Sequence, residues 1–184
     1  IDNEGNENLS PFSFFNVFSI NPPILVFSPV RRVRKNTSKH TLDNVNQVKE
    51  CVISLVTDEI AQQVSLASSD FNKETNEFEK AGFTAIKSDL ISNSRIKEST
   101  INIECKVNEV ITLGKEGGAG SLVLCEVLKM HIDESILDKD NAIDPFKLNI
   151  VSRLGANWYG KTTKDSLYEI AKPISKPIPF IIPY

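Results

Sequence analysis

The run Asn8-Leu9-Ser10-Pro11-Phe12-Ser13-Phe14-Phe15-Asn16 interleaves hydroxyl and amide groups with aromatic rings. Serine and asparagine each carry donors and acceptors, so such a run can hydrogen-bond a polar edge while presenting apolar walls. Ser10, Ser13 and Asn16 supply the polar atoms; Phe14 and Phe15 supply the flat surface. A second group is cationic: Arg31, Arg32, Arg34, Lys35 and Lys39 lie close together in the chain. A charge run of that kind is either a solvated loop or the seat of a compact anion such as one phosphate. No Ser/His/Asp or Cys/His constellation accompanies these groups.

The elements that must position them can be read from periodicity. Two short apolar stretches, broken at Asn21-Pro22-Pro23, suit strands on either side of a bend, because proline removes a donor and fixes φ. Ser28 ends the second stretch. Val30 to Thr41 is a basic, Ser/Thr-rich loop. Thr41 then caps a helix in which Leu42, Val45 and Val48 recur on one face. Cys51 to Val56 is β-branched and reads as a strand. Glu59 to Ala67 reads as a helix, and Asn76 to Ala81 as a second, stopped by Gly82.

Beyond Phe83 the pattern is mostly β. Ile101 to Val107 alternates apolar and polar residues, Val110 to Leu113 continues it, and Ser121 to Asp133 is the return strand. The glycines between Gly114 and Gly120 join strand to strand. A phosphate-cradling loop needs a following helix, so a nucleotide-binding fold is excluded. Ile150 to Tyr159 is a mixed apolar and aromatic segment, and residues 172–184 form an extended Pro-rich arm. Ile1 to Asn6 reads as a strand end followed by an Asx/Gly turn, which places a further strand before the sequence as given. Sequential strands with helical insertions predict an antiparallel barrel or sandwich of Greek-key type.

With 184 residues and a net charge of -3, the chain has room for one real core and carries no broad basic face for nucleic acid. Three scattered cysteines, Cys51, Cys105 and Cys125, have no zinc-site spacing and read as reduced thiols on buried strands, in keeping with a cytoplasmic location. No apolar run reaches the ~20 residues of a membrane-spanning helix.

Six segments in order carry a resemblance. NLSPFSFFN followed by NPP, KHTLDNV from Lys39, FEKAGFTAIKS from Phe78, INIECKV from Ile101, EVLKMHIDESIL from Glu126 and SRLGANWYGK from Ser152 resemble the motifs of the flavin reductase-like family. The resemblance implies a mainly β FMN-binding split barrel over residues 1–171 that forms a homodimer. It implies that FMN is contacted by Ser10, Ser13, Phe14, Phe15 and Asn16 at the ring. Lys39, Thr41 and Ser28 fall to the phosphate, and Arg153, Gly155 and Tyr159 cover the flavin from the C-terminal segment. Pro22 and Pro23 would stiffen the opposite side of the bend. His40 departs from the family's aspartate, and the Arg-rich loop before it is unusual.

The implied activity is NAD(P)H-dependent flavin reduction, in which hydride passes to bound FMN and no side chain serves as nucleophile. Two alternatives stand beside it: a flavoredoxin-like electron carrier without direct reaction with NAD(P)H, and a split-barrel binding module without cofactor. His131 on the return strand reads first as a satisfied structural histidine and second as a candidate proton donor, and Asp133 as a turn or solvent-facing residue.

Overall fold

The computed structural model describes residues 1–69, 71–72 and 75–171; the Pro-rich arm expected over residues 172–184 lies outside them. Alternation of apolar and polar residues builds its two longest strands, β6 (Ile101–Thr112) and β7 (Ser121–Ile132), which pair antiparallel along their length. The elements before them are β1 (Phe15–Ile20), β2 (Pro23–Phe27), α1 (His40–Val48) and β3 (Glu50–Ser54). Helices α2 (Ala61–Ala67) and α3 (Glu77–Ala81) follow, with the short strands β4 (Ala85–Ile86) and β5 (Arg95–Ile96). The last hairpin is β8 (Val151–Gly155) and β9 (Trp158–Lys161).

The main sheet has the order β1-β2-β7-β6-β3, with every neighbouring pair antiparallel. The chain leaves β2, crosses to β3 at the far edge, and fills the gap later with the β6–β7 hairpin. That is the Greek-key connection expected of sequential strands. The molecule is mainly β, as predicted. Leu25, Phe27, Val45, Ile103, Cys105, Val107, Val123 and Cys125 make the core between this sheet and α1. A second cluster joins Ile60, Ala67, Phe78, Ala81, Phe83 and Ile96 beneath α2 and α3.

Several local expectations hold for the stated reasons. Asn76 caps α3 by accepting from the Phe78 and Glu79 amides, and Gly82 ends it at φ +72. Asp2 accepts from the Glu4 and Asn6 amides, forming the expected turn. The three cysteines are free and buried. Others need correction. Thr41 does not cap α1: the helix begins at His40 with Lys39 in the cap position, and the Thr41 hydroxyl donates to Asn8 instead. Pro22 stands in the turn between β1 and β2 and Pro23 opens β2, both at the opposite end of β1 from Phe15, and Asn21–Pro22 is a cis peptide. The segment from Ile150 to Tyr159 is mostly a β-hairpin, tied to the body by the Thr57–Ile150 bridge and the Lys161–Asp58 ion pair at 2.5 Å.

Candidate flavin-type site at the edge of the sheet

The aromatic and serine run begins outside any regular element, so side chains must hold it in place. Asn8 Nδ2 donates to Glu77 Oε1 at 2.9 Å, and the Leu9 amide donates to Glu77 Oε2 at 3.2 Å. Glu77 is buried at the start of α3, where the helix dipole also favours its negative charge. Asn8 Oδ1 in turn accepts the Thr41 hydroxyl at 2.5 Å. A relay of three side chains therefore joins α3, the N-terminal run and the first turn of α1. At its other end the run enters β1, and the Ser28 amide donates to the Phe14 carbonyl at 2.9 Å.

These elements enclose a cavity of about 500 Å³, within the usual range for small-molecule and cofactor sites. Ser10, Phe12, Ser13 and Phe15 form one wall. Thr41, Asn44 and Val45 of α1 form the next, and β3 lines the floor from Glu50 to Ser54. Val64 and Ala67 of α2, with Phe78 and Phe83, make an apolar end. Ser152, Arg153 and Tyr159 reach in from the β8–β9 hairpin. The walls thus combine apolar surface with convergent hydroxyls and amides. Asn93, also on the wall, leaves its buried side-chain oxygen without a hydrogen-bond partner, a cost that an incoming donor would relieve.

Charge is unevenly placed. Glu7 and Glu50 bring carboxylates to the lining, and Arg153 brings a guanidinium. That guanidinium donates to the Tyr159 hydroxyl at 3.0 Å and lies 5.1 Å from the centre of the Tyr159 ring. It also donates to the Ala156 carbonyl, which fixes the hairpin tip. Cys51 stands on the cavity floor only 8% exposed, with its sulfur 3.7 Å from that of Cys125. Hydrogen bonding with the Cys105 and Cys125 thiols lowers the Cys51 pKa well below the ordinary thiol range, against the effect of burial. Cys105 and Cys125 are pushed up by that same bonding to Cys51 and then by burial.

Of the residues singled out from sequence, Ser10, Ser13, Phe15, Thr41, Arg153 and Tyr159 meet on this cavity. Phe14, Asn16, Ser28, Lys39 and Gly155 do not line it. Phe14 and Asn16 are exposed at the start of β1, Ser28 faces Gly120, and Lys39 supplies the backbone cap of α1. Gly155 turns the hairpin at φ +108. Sequence reasoning missed Asn8 and Glu77, which position the run. A glutamate at a helix start reads as a solvated dipole partner, and its bond to a residue 69 positions away has no local signal.

On the other face of β6, Asn102 and Glu104 are buried beneath the segment from Ser88 to Ser99. Glu104 accepts from the amides of Asp89 at 2.8 Å and Leu90 at 2.7 Å, and from His131 Nε2 at 2.5 Å. His131 is therefore a structural partner, as read from its isolation on a strand.

The model of the "Flavin reductase like domain" family matches residues 2–147. A protein of Aquifex aeolicus is 34% identical over 161 residues, spanning 88% of this chain and 80% of that one. The crystal structure of nitrilotriacetate monooxygenase component B from Bacillus cereus superposes with a TM-score of 0.78 at 27% identity, covering 90% of this chain and 79% of that one. The Pseudomonas fluorescens 2-nitrobenzoate 2-nitroreductase gives 0.82 at 28%, covering 96% and 83%. A Shewanella frigidimarina protein with a split barrel domain gives 0.79 at 26%, covering 94% and 82%.

Proposed function

Because the chain belongs to the flavin reductase-like domain family, we propose that it is an FMN-binding oxidoreductase that takes electrons from NADH or NADPH. The observation that carries this reading is the single cavity on which Ser10, Ser13, Phe15, Thr41, Arg153 and Tyr159 meet. Its chemistry suits the cofactor. An isoalloxazine ring needs apolar walls with a few polar groups at one edge, and the Ser/Phe run and the Asn93 oxygen offer both. Bound FMN supplies a carrier able to accept two electrons from a nicotinamide and return them to an acceptor.

The chain's own residues bind, orient and shield. Ser10 and Ser13 set the ring's polar edge, Phe15 and Val45 pack against its apolar surface, and Tyr159 with Arg153 closes the hairpin side. We assign the phosphate end to the start of α1, at Thr41 on the cavity wall, with Lys39 in the cap position beside it. Exclusion of water from the apolar end protects the reduced cofactor from side reactions. The working compartment is taken to be the cytoplasm; no described helix is long and apolar enough to cross a membrane.

Anaerobic titration of the FMN-loaded protein with NADH and with NADPH tests the reading. Loss of the flavin's visible absorbance within seconds at micromolar nucleotide is the expected result. Protein that holds FMN but is bleached by neither nucleotide, and is reduced rapidly by a protein electron donor, would instead be a flavoredoxin-like carrier. Failure to quench added FMN fluorescence at all would leave a cofactor-free binding module.

We also propose a homodimer. Edge strand β1 carries Val17, Phe18 and Ile20 to the surface, with Phe18 69% and Ile20 89% exposed, and Phe14 just before it is exposed as well. An apolar edge strand of this kind is a pairing hazard unless another surface covers it, and closed two-fold pairs are the commonest solution. Light scattering of the eluting protein at micromolar concentration should give twice the chain mass. Phe18→Asp should shift it to the monomer; a wild-type monomer would remove the proposal.

A further inference from the structure

The Arg-rich loop finds no role in the cavity. Its residues instead build a second concavity of about 510 Å³, next to the first turn of α1. Val30 pairs with Gly120, the Arg31 amide donates to Ala119, and Gly118 donates back to the Arg31 carbonyl, so the loop is anchored on the β6–β7 hairpin. Gly117 comes so close that a Cβ there would meet the Val33 carbonyl at 2.6 Å. Two of the arginines shape the loop: Arg31 Nε donates to Asn36 Oδ1 at 2.8 Å, and Arg32 donates to the Ser38 carbonyl.

Arg32, Lys35 and His40 bring nitrogen donors to its lining, Thr37 and Ser38 bring hydroxyls, and Phe71 brings an aromatic face. Asp43 also lines it and accepts the Ser38 hydroxyl at 2.7 Å. His40 lines this cleft while Thr41, the next residue, lines the large cavity. The first turn of α1 therefore borders both. A flavin whose phosphate ends at Thr41 leaves the cleft unused. A dinucleotide whose nicotinamide reaches the flavin has its adenosine half available to reach across the turn.

We propose that this cleft binds the ribose 2′-phosphate of NADPH and makes the protein prefer NADPH over NADH. The proposal rests on the oxidoreductase reading above. A phosphate monoester is the ligand that two fixed-charge cations, an imidazole and adjacent hydroxyls recognise best. NADH offers only a neutral 2′-hydroxyl there. Phe71 gives the adenine an apolar surface on which to lie.

Calorimetry with adenosine 2′,5′-bisphosphate and adenosine 5′-monophosphate reads the cleft without catalysis. The bisphosphate should bind about tenfold tighter, the worth of one partly solvated charge-assisted hydrogen bond. Lys35→Met combined with His40→Gln should abolish the difference. Asp43→Asn, which removes a carboxylate from the lining, should widen it. The ratio of kcat/KM for NADPH over NADH should move in parallel with these changes. Equal affinities for the two nucleotides in the wild type would overturn the proposal. So would a difference that survives the double substitution, or a double variant that loses its preference for FMN over riboflavin, which would hand the cleft to the flavin's own phosphate. Bisphosphate preference without bleaching by either dinucleotide would spare the anion site and sink the oxidoreductase reading, and with it the NADPH assignment.

Discussion

Glu104→Ala is expected to destabilise the protein by about 3–5 kcal/mol, the range for removing one partner of a buried, hydrogen-bonded charge. Glu104 has 0% of its surface exposed, yet it carries a carboxylate on a central strand. Its two oxygens accept from two successive loop amides, Asp89 and Leu90, and from the His131 ring. Alanine would leave all three donors without their acceptor, so a desolvation cost falls on each that water does not reach. Glu104→Gln keeps one acceptor oxygen and should lose roughly half as much. Urea unfolding by intrinsic fluorescence measures both, and a loss under 1 kcal/mol for the alanine variant would show that the contacts are dispensable.

The same carboxylate gives stability an acid limit. Burial alone would raise its pKa, but the Asp89 amide, His131 and the Leu90 amide together outweigh it and hold the value below 4.5. The unfolded chain therefore takes up the proton first on acidification. The stability from Glu104 is complete above about pH 4.5 and is lost as pH falls through the lower folded value. Wild-type unfolding midpoints should fall across that window, and the Glu104→Gln midpoint should fall less steeply.

What sequence made legible depended on whether the signal was local. The alternation in Ile101 to Val107 gave β6, and Asn76 with Gly82 bracketed α3, because strand period and helix caps are written within a few residues. Thr41 shows the limit of that reasoning. A threonine before an apolar helical pattern has the chemistry of a cap, but the structure offers its hydroxyl Asn8 from 33 positions away, and the cap geometry falls to Lys39. The β8–β9 hairpin escaped because Arg153, Leu154, Trp158 and Tyr159 are exposed and leave no one-sided pattern to read. Glu104 and Asn102 looked like the solvent face of a half-buried strand. They are buried only because the segment from Ser88 to Ser99 folds over them, a tertiary fact that alternation cannot carry. In the site, the serines and Phe15 were recognisable from type and order, whereas Glu77 and Cys51 join through contacts that only the fold creates.

Lys39→Ala combined with Thr41→Ala should weaken FMN binding by about 10²- to 10⁴-fold, while riboflavin affinity stays nearly constant. Two charge-assisted hydrogen bonds to a phosphate contribute about 1.5–3 kcal/mol each, and 1.4 kcal/mol is a factor of ten. Riboflavin shares the ring and ribityl chain but lacks the phosphate, so the ratio of the two affinities isolates the anion. Lys39 and Thr41 occupy the cap and second position of α1, where unpaired helix amides already favour negative charge. Thr41 introduces a condition: its proton is given to Asn8, so it must turn to donate to a phosphate. Asn8 would then hold the run through Glu77 alone. Thr41→Ser, which retains a hydroxyl without the methyl group, should keep most of the affinity and separate donation from packing. Thermal midpoints within a few degrees of wild type would show that the double variant folds, since losing one neutral hydrogen bond costs about 1 kcal/mol. A folded double variant that still prefers FMN over riboflavin would place the phosphate elsewhere, and the helix start would then be only a structural corner between two cavities.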